Sequence, residues 1–281
     1  MLILTWNLQW GRGIDGRVDL KRIAARANAL GRFDVMCFQE IADNYPDLAG
    51  NDDTDQFAAL ASLFPGVTAI EGISVDVAGP TRRKRFGNLI LSRLPVLSAR
   101  RHALPWPAEP ERDSMPRMAI EVVVQASFGP LRVTTTHLEY YAGVQRMAQA
   151  RRLRELHDEG CARALAAPNP GPRESNVTFD PTPQPLAAVL TGDFNFPPEA
   201  PEYSEIQAPL APGRPRYVDA WSTVHGMKPH DPTFCVHDHS WKPVPLCCDF
   251  IFASEALPVR SISVDGSAQE SDHQPVMAEL G

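Results

Sequence analysis

The residues with chemistry to offer in this chain are Asn7, Glu40, His137, Asp193, Asn195, Asp272 and His273. Most stand at or just after the end of a short run rich in β-branched and aromatic residues, the composition of a strand. Singly they say little: Asn7 also reads as a turn residue, Glu40 as a helix-start charge, and His137 as a satisfied core histidine. Together they are carboxylates, amides and two imidazoles gathered at strand ends, the ingredients of metal-assisted phosphoryl transfer. A phosphoester is anionic and repels a nucleophile, so hydrolysis needs cationic groups on the non-bridging oxygens and an oriented, deprotonated water. Hard oxygen ligands such as Glu40 suit Mg²⁺ or Mn²⁺, whereas clusters of Cys and His would suit zinc.

The elements that must position these groups are legible in outline. Strands are expected at 2–8, 34–40, 86–96, 118–127, 131–140, 186–195 and 249–254. Several are apolar through most of their length and finish in a polar residue, as expected of strands covered on both faces whose ends open onto a site. Helical spacing of apolar positions marks 18–31, ending on Gly31, together with 55–64 and 143–160. In the last, basic residues lie away from Val144, Met147, Leu153 and Leu156 and read as a solvated face. Pro-rich stretches at 104–116, 168–185 and 197–215 interrupt both periodicities and predict long surface loops, often functional rims.

Composition narrows the class. With 281 residues, 43% hydrophobic and 22% charged, the chain can bury a sizeable core, and one domain over 1–281 is the expectation. No apolar run approaches the roughly 20 residues needed to span a bilayer, and the first residues read as a strand rather than a signal peptide. A cytoplasmic monomer is therefore expected. Cys37, Cys161, Cys235, Cys247 and Cys248 lack paired metal spacing and read as buried or leftover thiols. A net charge of −7 does not favour a grip on long nucleic acid, which rests on clustered Lys and Arg. Bound cations and local patches can still reverse the field at a site.

The segments TWN (5–7), FQE (38–40), GNLILSRLP (87–95), THLEY (136–140), LTGDFN (190–195), CDFIFAS (248–254) and SDHQPV (271–276) resemble the endonuclease/exonuclease/phosphatase superfamily, in the family's order and over almost the whole chain. The resemblance implies an α/β fold, a four-layer αββα sandwich of two mixed β-sheets packed face to face with helices outside. It also implies one metal-dependent site at the sheet edges. By the same resemblance Glu40 is the main metal ligand, Asn7 a ligand or orienting amide beside it, and Asp272 the accompanying carboxylate, holding Mg²⁺ or Mn²⁺. Asp193 orients or deprotonates the attacking water, and Asn195 holds the phosphate. His273 stabilises the charged oxygens, Asp249 orients His273, and His137 protonates the leaving oxygen. Asn88 resembles a substrate-side amide and Arg117 an arginine contacting or steering toward phosphate, with a surface salt bridge as the alternative. Trp221 and Thr233, in family-like segments, read as structural.

Some positions depart from the pattern. Gln9 stands where abasic-site endonucleases carry an acid, whereas His137 is closer to the deoxyribonuclease and sphingomyelinase branches. Cys247 and Cys248 precede Asp249, where many members carry a basic residue. The region corresponding to the glutamate partner of the general-acid histidine in secreted deoxyribonucleases, 81–88, is basic and offers His137 no acid. The run Arg82, Arg83, Lys84, Arg85 reads as a steering patch for a polyanion or as a solvated hairpin tip. His225, His230, His237 and His239 read as loop histidines or a second metal site. The leading expectation is a phosphodiesterase using in-line water attack on a phosphoester substrate, with nucleic acid among the candidates. The alternatives are a DNA endonuclease proper, a sphingomyelinase-like phospholipid or small-molecule phosphodiesterase, an inositol-phosphate monoesterase, and a catalytically silent binding module.

Overall fold

The computed structural model describes residues 1–167 and 175–281. Among them the strands form two sheets of six. The first contains β1 (Leu2–Asn7), β2 (Val35–Asp43), β3 (Thr68–Val77), β4 (Lys84–Ser92), β11 (Val259–Val264) and β12 (Val276–Leu280). The second contains β5 (Val96–Ala103), β6 (Met118–Ala126), β7 (Gly129–His137), β8 (Ala188–Asp193), β9 (Tyr217–Asp219) and β10 (Asp249–Ser254). Their orders are β11-β12-β1-β2-β4-β3 and β5-β6-β7-β8-β10-β9. Each sheet has a parallel pair at its centre, β1 with β2 and β7 with β8, flanked by antiparallel neighbours.

Strand alternation makes four layers. Ile3, Val35, Val133, Val189 and Ile251 point into the core between the sheets. Leu4, Trp6, Met36 and Phe38 point outward and are covered by α1 (Leu20–Leu30) and α2 (Gln56–Leu63), through Ile23, Ala27, Phe57 and Leu60. On the far side, Leu190, Phe250 and Phe252 lie under α3 (Gly143–Leu165) and α4 (Pro201–Ile206), through Leu153, Leu156 and Ile206. Double coverage is why these strands read as nearly continuous apolar runs, and each buried Val, Leu or Ile side chain stabilises by about 1.5–3 kcal/mol. A short α5 (Ala220–His225) follows β9. The αββα sandwich implied by the sequence is the fold observed.

Capping follows the expected chemistry. Asp19 accepts the backbone N–H groups of Lys21 and Arg22 at the start of α1, and Asp55 that of Ala58 in α2. Several boundaries differ from expectation. The run 86–96 is two strands, because Ser92 bonds to Leu94 through both its side-chain donor and its acceptor and turns the chain before Pro95. The helix expected at 143–160 continues to Leu165, and Val144 in its first turn is exposed. The Pro-rich segment 197–215 contains α4, whose Pro201 takes the first turn, where a missing N–H costs nothing. The loop expected at 168–185 lies partly outside the described residues. Among the described residues no helix is long and apolar enough to cross a membrane.

Candidate active site

Both parallel pairs end at the same edge of the sandwich. Asn7 is in register with Gln39, His137 with Asp193, and Asp249, the first residue of β10, lies across from Asp193. Asp272 and His273 come from the segment just before β12. Gly192 permits the approach: its φ is 140°, and a Cβ there would fall 2.0 Å from the Thr136 carbonyl oxygen. Glycine is therefore required one residue before Asp193. Glu40 arrives by a different device. Between the pairs Phe38–Leu89 and Ile41–Gly87, Gln39 and Glu40 together face Asn88, a β-bulge, and Glu40 adopts a φ of 60°. For a residue with a side chain that conformation costs about 1–3 kcal/mol. So β2 does not end at Glu40, as expected, but kinks there and runs on to Asp43.

Asn7 ties the two halves together. Its Nδ2 donates to Glu40 Oε1 at 3.0 Å and to Asp193 Oδ2 at 2.9 Å, while its Oδ1 accepts the Gln9 backbone N–H. Beneath it, Gln39 Nε2 donates across the sheets to Thr135 Oγ1 at 3.0 Å. Gln9, where an acid was absent from the pattern, donates through Nε2 to Asp272 Oδ2 at 2.8 Å.

Two imidazoles face Asp193. His273 Nε2 lies 3.6 Å from Asp193 Oδ2, and its Nδ1 lies 2.9 Å from Asp249 Oδ2, which also accepts the Thr233 hydroxyl. Burial alone would lower its pKa, but the charges of Asp249 and Asp193 outweigh burial and hold it well above the ordinary histidine value. His137 Nε2 lies 3.4 Å from Asp193 Oδ2, and its Nδ1 lies 3.9 Å from Glu40 Oε1. The same Nε2 meets an amide: Asn195 Nδ2 donates to His137 Nε2 and to the Leu138 carbonyl, both at 2.9 Å. Burial, then the charges of Arg117 and His273, hold His137 well below the ordinary value.

The carboxylates are pushed the other way. Burial raises Asp193 and Asp272 to about 6, against the pull of His273, and raises Glu40 as well. Glu40, His137 and Asp193 offer ligand atoms within 4.8 Å of one another. Buried carboxylates that resist ionisation, facing one another across a cleft, are a donor set that a hard divalent cation would relieve. Two carboxylates and an imidazole suit a divalent cation. The cleft into which these groups open has a volume of about 310 Å³.

The model of the Endonuclease/Exonuclease/phosphatase family matches residues 4–273. The chain belongs to this family. A comparison with curated proteins found no match. Among solved structures it is similar to an endonuclease/exonuclease/phosphatase from Beutenbergia cavernae, with 22% identity, a TM-score of 0.67, and coverage of 100% of this chain and 71% of that one. It is also similar to a mannosyl-6-phosphatase from Bacteroides thetaiotaomicron, with 18% identity, a TM-score of 0.68, and coverage of 100% and 99%. The human Nocturnin catalytic domain with bound sulfate is a third, with 17% identity, a TM-score of 0.66, and coverage of 100% and 93%. At these identities the likenesses establish the fold. The endonucleases, exonucleases and phosphatases that give the family its name all cleave phosphoester bonds, and this supports hydrolase action on such a bond.

Of the family-type residues expected from sequence, Glu40, His137, Asp193, Asn195, Asp272, His273 and Arg117 line the cleft, with Asn7 and Asp249 directly behind them. Asn88 is not brought to the cleft: it is buried between the sheets under the bulge, with its Nδ2 toward the Met118 carbonyl. Arg117 is 7% exposed and its Nε donates to Glu139 Oε2, so the ion pair considered as its alternative exists but is buried. Its Nη1 is also buried and makes no hydrogen bond. The basic run is not a free patch. Arg82 pairs with Asp43, Arg83 with Asp76, Lys84 with Asp47, and Arg85 with Asp43, Asp55 and Glu71. The loop histidines go separate ways, His225 to the Ile262 carbonyl, His230 to Asp219 and His237 to the Gly266 carbonyl, and no metal-ligand cluster among the described residues includes them. All five cysteines are buried and free. Sequence reasoning missed the Asn195–His137 contact, the Arg117–Glu139 pair, and Thr233 as the support of Asp249. Only Glu139 carried a signal, an acid two residues after His137 in the THLEY segment.

Proposed function

We propose that this chain is a divalent-cation-dependent hydrolase of phosphoester bonds, with phosphodiesters as the preferred class, acting by in-line attack of water. The observation that carries the reading is Asp193. One carboxylate oxygen stands within 3.6 Å of both imidazoles and shares the Asn7 amide with Glu40. Glu40 and Asp272 would hold Mg²⁺ or Mn²⁺, with Asn7 as the orienting amide, since its oxygen is occupied by the Gln9 N–H. When bound, the cation supplies Lewis-acid charge on the phosphate oxygens.

Asp193, raised to about 6, is a stronger base than an exposed carboxylate and is ionised at neutral pH, which suits it to orient and deprotonate the attacking water. His273, kept protonated by Asp249, presents positive charge at Nε2 to the phosphate oxygens as negative charge develops. The guanidinium of Arg117, a residue of the cleft lining, adds positive charge beside the phosphate. His137 is neutral with Nε2 accepting from Asn195, so its N–H is at Nδ1, from which it would give the leaving oxygen a hydrogen bond while keeping its proton.

Hydrolysis of bis(p-nitrophenyl) phosphate tests the reading. Release of nitrophenolate is expected in Mg²⁺ or Mn²⁺, to stop in EDTA, and to fall about 10³-fold or more in Asp193→Asn. Equal rates in EDTA or in the variant would overturn it. Since Asp193 must be ionised, kcat/KM in Mg²⁺ falls as pH is lowered, with the limb below about 6 because a bound cation favours the ionised carboxylate.

A further inference from the structure

The mouth of the cleft is aromatic, and its two walls come from different halves of the fold. Trp10, Tyr45 and Phe86 belong to the side of the first sheet. Tyr140 and Tyr141 follow β7 of the second, and Trp241 comes from the loop before β10. Each wall is internally braced. Tyr45 meets Phe86 edge-on at 6.4 Å, and the Trp10 indole donates to the Ala49 carbonyl. Opposite them, Tyr140 meets Tyr141 at 4.7 Å and Trp241 at 6.5 Å, both edge-on. Tyr141 and Trp241 are 53% and 52% exposed, so much of their ring surface is not used by the core.

A polymer substrate needs a track of cations for successive phosphates. The run that would serve, 82–85, is bound to carboxylates at every residue. The cleft itself, at about 310 Å³, is at the small end of ligand sites. Flat rings stack on aromatic walls with little dependence on their substituents, and this is how a site with few free cations can gain affinity.

We propose that the site takes a compact phosphoester carrying a flat ring, a nucleobase or an aryl group, seated between the two aromatic walls with its phosphate at Asp193. This rests on the phosphoesterase reading above and adds the substrate class. The test uses hydrolysis of bis(p-nitrophenyl) phosphate in Mg²⁺ as the readout, with phenylphosphonate, thymidine 5′-monophosphate, methylphosphonate and single-stranded oligothymidylate as competitors. Phenylphosphonate or the nucleotide should compete about tenfold better than methylphosphonate. Tyr141→Ala and Trp241→Ala should both collapse that ratio toward one. Whether the nucleotide or the phenyl compound competes better separates nucleobase from aryl recognition. If the ester is cleaved but methylphosphonate competes equally, or the ratio survives in both variants, the ring proposal falls and the hydrolase stands. Inhibition by oligothymidylate far beyond its count of nucleotides would also overturn it, in favour of a polymer site. If the ester is not cleaved, and Asp193→Asn is indistinguishable from the parent, both readings fall.

Discussion

His137 and His273 face the same oxygen of Asp193, 3.4 and 3.6 Å away, yet they are held in opposite protonation states. Both are buried, and burial alone lowers both. The difference lies in the charges around the rings. His273 has a carboxylate hydrogen-bonded at its second nitrogen, and Asp249 favours the imidazolium; the second nitrogen of His137 lies 3.9 Å from Glu40, beyond hydrogen-bond reach, and the charges of Arg117 and His273 add to burial. One site thereby keeps a cationic and a neutral imidazole within reach of one carboxylate, a separation that phosphoester hydrolysis can use. The lesson is that burial alone leaves a histidine neutral, as at His137, and that a carboxylate held against the second nitrogen reverses it, as at His273.

The largest way to break this comparison is Asp249→Asn, which removes the carboxylate from the second nitrogen of His273. A loss of about 10³-fold in kcat/KM is expected, by analogy with neutralising the carboxylate behind other positioned histidines. The pH profile gives the diagnostic. In the parent, His273 is charged below a pKa raised above the ordinary value, so activity that needs the charge persists above neutrality and is lost as pH rises through that pKa. In the variant the pKa drops, and the alkaline limb must move to lower pH. A uniform loss with an unmoved limb would mean that Asp249 is only a scaffold.

The converse change is Asn195→Asp, which puts a carboxylate against His137 Nε2. The imidazole should then titrate at higher pH, read by the histidine ring signals in NMR. kcat/KM should fall about 30- to 100-fold, because the added charge also faces Asp193 and the anionic substrate. The position tolerates the swap: Asn195 has a φ of 54°, a region that Asn and Asp share. Were His137 to stay neutral in the variant, burial rather than its partner would be setting its state.

What the sequence makes legible follows the same division. His137, Asp193 and Asp249 are readable because they end or begin strands whose apolar runs announce themselves, and ladder register brings them together. Glu40 is readable as a residue, but its bulge is not, because it depends on pairing with β4 across a long sequence separation. The amide at His137 Nε2 could not be read because Asn195 reaches it over a turn after β8, and no periodicity encodes that contact. The 82–85 run looked like a free cationic patch for the same reason: its partners Asp43, Asp47 and Asp76 lie on other elements. β11 was invisible because three of its six residues are exposed at the sheet edge, leaving too few apolar positions to mark it.

Thr233 offers the smallest and most selective test, since it acts on only one of the two histidines. Its hydroxyl donates to Asp249 Oδ2 at 2.6 Å and accepts the backbone N–H groups of Cys248 and Asp249. Thr233→Val keeps the shape and removes all three bonds, at a cost of about 1–3 kcal/mol for groups left unpaired. Without its hydroxyl donor, Asp249 becomes more basic and less firmly held. kcat/KM should fall about three- to tenfold, with a displaced alkaline limb and no change in the NMR titration of His137. Thr233→Ser, which restores the hydroxyl, should recover both rate and limb. If valine shifts His137 as well, the two histidines are one coupled unit, and the contrast between them belongs to the whole cluster rather than to the groups behind the rings.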